Sequence, residues 1–488
     1  MALFESFLVL LLLSAALLQL ARRVKLPYPT MLALAGAVVT VLPSTPQIGI
    51  DPHLALVLFV APAILSTAYD TSPYELRRHW AALVALALVA VLLTTAAVAW
   101  VGWALAGLPW AAAIALGAIV APPDAAAAQA VLSSQGLPRR TMTVLQGESL
   151  FNDAVALLVF SAAVSSLRSE PSISTTLLLG LAAPGGVLLG CIAGILFVWL
   201  WRLWAGTLSS TILEFASTFG VWLLAERMHV SPVLAVVAYA MWVARSARHH
   251  QSARDRIHSF AVWDAAVFIL NVIAFLLMGL QARTILLRLD RAGIVEALAF
   301  AAAVFLVVVV VRIAWVLSYR LLLGPWLPSL RQQPAGTTRT RLLVGWCGMR
   351  GILTLATAMS LPTQFPGRDL IVLSAFTVVL GTLIVQGATI APLMRWLGIP
   401  KDTTLEQDVA LGRTALVQAR SLTISGSDDT HESADDIERA SVAAQRVALQ
   451  RLHSDNQIPQ DAFQILQEEL DWRELSLTPH AKREISEA

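Results

Sequence analysis

The chain has 488 residues, of which 57% are hydrophobic and only 14% charged, and its mean hydropathy is +0.70. That is far more apolar than a soluble globular protein. A net charge of +2 gives no basis for nucleic acid or polyanionic partners. Both cysteines, Cys191 and Cys347, lie in apolar segments, which argues for buried small hydrophobes rather than a disulfide framework or a metal site.

A window of about 20 residues spans ~30 Å of hydrocarbon. It predicts thirteen helices, at 4–21, 28–43, 53–69, 80–106, 109–132, 144–167, 176–201, 210–226, 230–244, 259–281, 293–318, 342–361 and 370–394. Residues 1–21 lack a basic leading segment and their positive charges follow the apolar run, so an uncleaved first helix is expected rather than a signal peptide. Alternate loops, beginning with Arg22, Arg23 and Lys25, hold 16 Lys and Arg against 6 in the opposite set. This asymmetry predicts an N-terminus outside and a C-terminus in the cytoplasm. One loop, with Arg283, Arg288 and Arg291, runs against the trend.

Helix five is interrupted by Ala121-Pro122-Pro123-Asp124. Two adjacent prolines remove two backbone donors and clash with the preceding turn, so the helix must break or kink there. Helix six carries Gly147-Glu148-Ser149-Leu150-Phe151-Asn152-Asp153, followed by the uncharged run Ala154–Val164. A charge at the bilayer centre costs roughly 2.5–3.5 kcal/mol on insertion scales and is by default a functional-site hypothesis. Glu214 in helix eight and Asp264, near Asn271 in helix ten, are polar groups in apolar company. Hydrogen bonds across helices are the expected role of both, with Asp264 kept as a secondary site candidate.

Arg312 follows the apolar run Val307–Val311 in helix eleven. Helix twelve contains Gly345-Trp346-Cys347-Gly348-Met349-Arg350-Gly351, a second interruption at mid-depth. Irregular backbone is tolerated there only where protein or a water-lined cavity satisfies it. The interruptions lie seven helices apart, and an odd offset means that corresponding helices run in opposite directions. An inverted repeat of helices 1–6 onto 8–13 would give this pattern. Paired interrupted helices point to a transporter's midplane binding site.

Beyond Arg395 the composition reverses: residues 399–488 hold 17 of the 32 acidic residues and no membrane-length apolar run. Leu405, Val409, Leu411 and Leu416 fit an amphipathic helix, Ser425–Asp436 reads as a solvated linker, and further helix is expected over 435–453 and 460–476. The expected domains are a transmembrane unit at 1–398 and a cytoplasmic tail at 399–488, the latter packing on itself or on a second subunit.

Four stretches, APPDAAAA at 121–128, GESLFNDA at 147–154, LLAERMHVSPVLAVV at 223–237 and GWCGMRG at 345–351, together resemble the cation:proton antiporter family that includes sodium/proton exchangers. The resemblance spans about 1–398. It implies that Asp153 is the ion-binding carboxylate, occupied alternately by a cation and by protons. Asn152 resembles the feature of the electroneutral branch. Asp124 matches an acid near the same site, and Ser149 a hydroxyl that helps ligate the cation. Glu148 and Arg350 resemble a buried pair bridging the two halves, and a homodimer is implied.

The chain also departs from the family pattern. Pro123-Asp124-Ala125 stands where many relatives have Thr-Asp-Pro, Ser66 and Thr67 stand where many have an acid, and Cys347 replaces a common glycine.

The residue types suit such chemistry. A hard alkali cation prefers oxygen ligands, which carboxylate, carboxamide and hydroxyl groups supply. Glu148/Asn152 and Ser149/Asp153 are i,i+4 pairs, so they line neighbouring strips of one helical surface. A desolvated carboxylate keeps its proton to higher pH than one in water, so it can hold a proton or a cation but not both comfortably. For Glu148, two intramembrane partners are available, Arg350 and Arg312, and Arg350 is favoured because both residues lie in signature stretches.

The expectation is an all-α membrane protein of about thirteen helices in the inner or plasma membrane. It exchanges Na+ as the transported ion for H+, with no cofactor and no enzymatic centre. The rivals are a K+/H+ or mixed-cation exchanger, a passive channel, and a membrane sensor signalling through its acidic tail.

Overall fold

The structure is a computed structural model that describes residues 12–21, 23, 28–39, 52–70, 80–124, 128, 139–168, 173–204, 207–250, 252–286, 291–326, 337–399, 403–426, 434–455 and 457–477. The regular elements among the described residues are all helices, with no strand among them. The membrane part begins with α1 (Leu12–Ala21), α2 (Tyr28–Val39), α3 (Pro52–Asp70), α4 (Trp80–Ala106), α5 (Trp110–Val120) and α6 (Arg139–Arg168). It continues with α7 (Ile173–Trp204), α8 (Leu208–Arg227), α9 (Pro232–His250), α10 (Ala253–Leu286) and α11 (Arg291–Leu323). The short α12 (Thr338–Trp346) and α13 (Ile352–Met359) precede α14 (Arg368–Leu397). Three tail helices follow, α15 (Thr404–Gly426), α16 (Ala434–Ser454) and α17 (Gln460–Leu477).

Six of the described helices are long and apolar enough to cross a membrane, and four shorter ones are apolar. Side chains such as Leu181, Leu188, Ile192 and Trp199 on α7 stay exposed along their length, as expected where lipid replaces water.

The membrane helices pack as two groups. One comprises α4, α5, α6, α11, α12, α13 and α14; the other comprises α2, α3, α7, α8, α9 and α10. The first group has its own apolar core, with Val98, Leu116, Ile119, Val304, Ile371 and Val378 at its centre. The groups meet chiefly where α13 packs on α3, with smaller contacts of α14 on α10 and α6 on α9.

Helix five of the sequence reading ends its first half at Val120, and residues 121–124 leave the helix. Residues 125–127 and 129–138 of that expected span lie outside the described residues. A return to helix is indicated where the Ala128 amide donates to the Asp124 carbonyl at 3.2 Å. Helix twelve begins four residues earlier than expected, at Thr338, where the Thr337 hydroxyl accepts the Thr340 amide as an N-cap.

Two π-turns interrupt otherwise regular helices, at Ala85–Val89 in α4 and Thr382–Gln386 in α14. Each leaves backbone groups to be used from outside the helix, as π-turns at functional sites do. The Ala85 carbonyl accepts the Trp315 indole N–H at 2.9 Å.

Candidate functional site

The two interruptions cross each other. The Asp124 amide donates to the Met349 carbonyl at 2.8 Å, stitching one unwound segment to the other. Beyond the stitch, each break supplies the charge that the opposite helix end requires. The Arg350 guanidinium donates to the carbonyls of Val120 (3.0 Å), Ala121 (3.2 Å) and Gly348. The first two belong to the C-terminal end of α5, where unsatisfied carbonyls carry partial negative charge.

Conversely, the Asp124 carboxylate accepts the Ile352 amide at 3.2 Å, at the partly positive start of α13. Gly351 must lack a side chain here, since a Cβ would run into that carboxylate. The Arg350 amide is taken by the Thr382 hydroxyl at 3.1 Å, in the π-turn of α14.

Helix α6 passes beside this crossing. Asn152 is fully buried, and its carboxamide N–H donates to the Pro123 carbonyl at 3.2 Å, which holds the first break against α6. Asp153, Ser149 and Asp124 instead line a common cavity of about 40 Å³, large enough for a water or a small cation. Thr67 of α3 and Asn271 of α10 add two more polar groups to its wall, and Phe59, Val60, Ile64 and Leu353 close it with apolar surface.

Thr67 spends its hydroxyl proton on the Ala63 carbonyl at 2.9 Å, which turns the oxygen's lone pairs to other donors or to a cation. Asn271 also hydrogen-bonds the Tyr28 side chain.

The expected pair between Glu148 and Arg350 does not form. Glu148 binds Arg312 in a bidentate pair, with guanidinium-to-carboxylate distances of 2.5 and 3.0 Å. Both side chains are almost completely buried. The physical reason lies in the break itself: Arg350 is consumed by helix-end carbonyls, whereas Arg312 reaches across from α11. It passes over Gly348, where any Cβ would collide with its stem. Helices α6 and α11 are therefore bridged by the arginine that the signature stretch did not contain.

Of the remaining expected residues, Asp264 lies outside this cavity and lines another nearer the tail, together with Glu214. The Glu214 carboxylate accepts the Ser259 hydroxyl (2.5 Å) and the Trp263 indole (2.9 Å), a cross-helix bond from α8 to α10 of the kind expected. Thr67 and Asn271 are the wall residues that sequence reasoning did not assign to the site. Their signal was weak: one hydroxyl near the end of a helix and one carboxamide two turns beyond Asp264.

The family described as "Sodium/hydrogen exchanger, transmembrane" matches residues 8–396. An uncharacterised Na(+)/H(+) exchanger of Mycobacterium tuberculosis (strain ATCC 25618 / H37Rv) is 31% identical over 413 residues, covering 82% of this chain and 76% of that protein. The Na(+)/H(+) antiporter NhaH of Halobacillus dabanensis is 30% identical over 414 residues, covering 81% and 98%. Among solved structures, the sodium proton antiporter MjNhaP1 of Methanocaldococcus jannaschii at pH 8 superposes with a TM-score of 0.64 at 17% identity. It covers 81% of this chain and 99% of its own, so the two share a fold. The chain belongs to the transmembrane sodium/hydrogen exchanger family, and is a multi-pass membrane transporter that exchanges a monovalent cation for protons.

Proposed function

We propose that Asp153 is the shared seat of the cation and the proton, with Na+ as the principal cation and alternating access as the mechanism. The observation that carries this reading is the common cavity of Asp124, Ser149 and Asp153, set at the crossing of two broken helices. Asp124 and Ser149 add oxygen ligands, and Asn152 sets the shape of the break by holding Pro123. Asp124 is committed to the first amide of α13, which leaves Asp153 as the acid free to exchange its partner. One such acid gives one proton per monovalent cation, an electroneutral cycle. Glu148 and Arg312 form the structural pair, and Arg350 is a positioning residue for the break.

In this reading residues 1–398 are the transporter and 399–488 a cytoplasmic tail. The transporter crosses the membrane thirteen times, as an inverted repeat of helices 1–6 onto 8–13, with the N-terminus outside. Helix pairings support the repeat: the second span packs on the tenth as the third does on the ninth, and the fourth packs on the fifth as the eleventh does on the twelfth. The group containing α4–α6 and α11–α14 moves against the other group, which serves as scaffold and, by family resemblance, as the interface of a homodimer.

The test is pH-dye dequenching in proteoliposomes given Na+, Li+ or K+ in turn, with the membrane potential clamped or free. The reading expects proton movement driven by Na+ that does not respond to the potential. Cation flux without proton movement would establish a channel instead.

A further inference from the structure

We infer that the tail forms one wall of the ion path on its own side of the membrane, and that Asp471 strengthens the negative charge of this path by neutralising Arg256. The inference rests on the exchange reading above. Helices α15–α17 form a bundle with its own apolar core, including Val409, Leu416, Leu449, Phe463 and Leu466. This bundle docks on the membrane part through α17 against α10.

The contact is a buried ion pair. Arg256 donates from Nε and a terminal nitrogen to the two oxygens of Asp471 at 2.8 and 2.6 Å, and both side chains are at most 6% exposed. Arg446 of α16 holds Asp471 from the other side at 2.5 Å and also reaches Glu474 at 2.5 Å. The family match ends at residue 396, so the tail half of this contact lies outside the matched residues.

Between α10 and α17 lies a cavity of about 550 Å³, with Asp461, Gln464 and Glu468 on the tail wall. Tyr69, Arg256, Phe260 and Asp264 line both it and an inner chamber of about 90 Å³ around Glu214, so the two spaces adjoin. Along α10, Arg256, Phe260, Asp264 and Asn271 follow one another in steps of four, four and seven, which keeps them on one helical face. Asn271 belongs to the Asp153 cavity, about 10 Å along the axis from Asp264 at 1.5 Å per residue. The same face of α10 thus presents Arg256 and Asp264 to the tail-side spaces and, two turns further on, Asn271 to the exchange cavity.

Arg256 is the one basic side chain among the described lining residues of both spaces, against Glu214, Asp264, Asp461, Glu468 and Asp471. A cation approaching from the tail side meets the full charge of Glu214, Asp264, Asp461 and Glu468 only while Asp471 cancels Arg256. Because α17 sits on α10, in the scaffold group, this docking contact does not hold the moving group that carries Asp153. Its effect falls on cation capture rather than on the transport step.

The test reconstitutes the full-length parent, Asp471→Asn, Asp471→Asn with Arg256→Gln, Asp461→Asn with Glu468→Gln, and Asp153→Asn. Na+ is supplied to the face on which the tail is accessible to protease, and the half-saturating concentration is read at low and high ionic strength. Asp471→Asn is expected to raise it about two- to four-fold at low salt, as for one unit charge acting through largely aqueous surroundings over roughly 10 Å. The shift shrinks at high salt as screening shortens its reach. Removing Arg256 as well returns the value to that of the parent.

The Asp461→Asn/Glu468→Gln variant leaves the buried pair intact and moves half-saturation in the same direction, so the inference stays testable if Asp471→Asn does not fold. Parental half-saturation in both tail variants, or a shift that Arg256→Gln does not reverse, overturns it. An Asp153→Asn protein that still exchanges brings down the exchange reading itself. An inactive Asp153→Asn beside unshifted tail variants brings down only the tail inference.

Discussion

Glu148 and Asp153 lie five residues apart on α6, yet their surroundings differ in kind. Glu148 is fully buried with both oxygens bound to Arg312, whereas Asp153 is half-buried and faces a cavity that it shares with Asp124 and Ser149. A carboxylate with a permanent countercharge has no reason to release it, because a buried charge left alone is strongly destabilising. A carboxylate beside a cavity that it shares with other oxygen groups can accept a proton or a cation by turns. One helix thus carries a fixed charge for architecture and an exchangeable one for transport, separated by little more than a turn.

The contrast makes different demands on each residue. The largest effect is expected from Asp153→Asn, which should abolish Na+-driven proton movement while the purified protein keeps its size-exclusion profile and melting temperature. Arg312→Ala should do the reverse, leaving Glu148 bare and costing roughly 3–5 kcal/mol. Its signature is a lower folded yield and an earlier melting transition in detergent. If Arg312→Ala melted like the parent, the architectural role of that pair would be lost.

Arg350→Ala removes the donors to the Val120 and Ala121 carbonyls, each worth about 1–3 kcal/mol when left unsatisfied. It should lower the melting temperature, and transport should fall because the break that presents Asp124 loosens. Asp124→Asn keeps an oxygen for the Ile352 amide and should be milder in stability, changing it by about 1 kcal/mol or less. It should weaken Na+ binding as one ligand charge disappears. The smallest effect belongs to the Arg413–Glu469 pair on the tail surface. Exposed pairs of this kind contribute little, so Arg413→Ala should leave melting temperature and transport unchanged.

Much of this arrangement was legible in the sequence. The Pro122-Pro123 pair and the glycines around Arg350 marked both breaks, because adjacent prolines remove two backbone donors and glycine is a poor helix former. The cluster on α6 stood out because charge is rare in a greasy helix, and the tail helices expected over 435–453 and 460–476 appear at 434–454 and 460–477.

Pairing across the fold was not legible. Arg350 and Arg312 are equivalent as intramembrane cations until the crossing geometry sends one to the end of α5 and the other past Gly348 to Glu148. Asn271 and Thr67 become wall residues only once α10 and α3 are packed beside α6. Arg256 and Asp471 are 215 positions apart, and no periodicity links a tail acid to a basic residue at the start of α10.

The claim that one carboxylate serves both ions is tested most directly by the protons released when Na+ binds. In weakly buffered detergent solution below the group's own midpoint, the parent should release about one proton per Na+ bound, falling to about half at the midpoint, since a carboxyl must ionise to become a ligand. Asp153→Asn should bind no Na+ and release none. Na+ binding without proton release in the parent, or unchanged release in Asp153→Asn, would contradict the account.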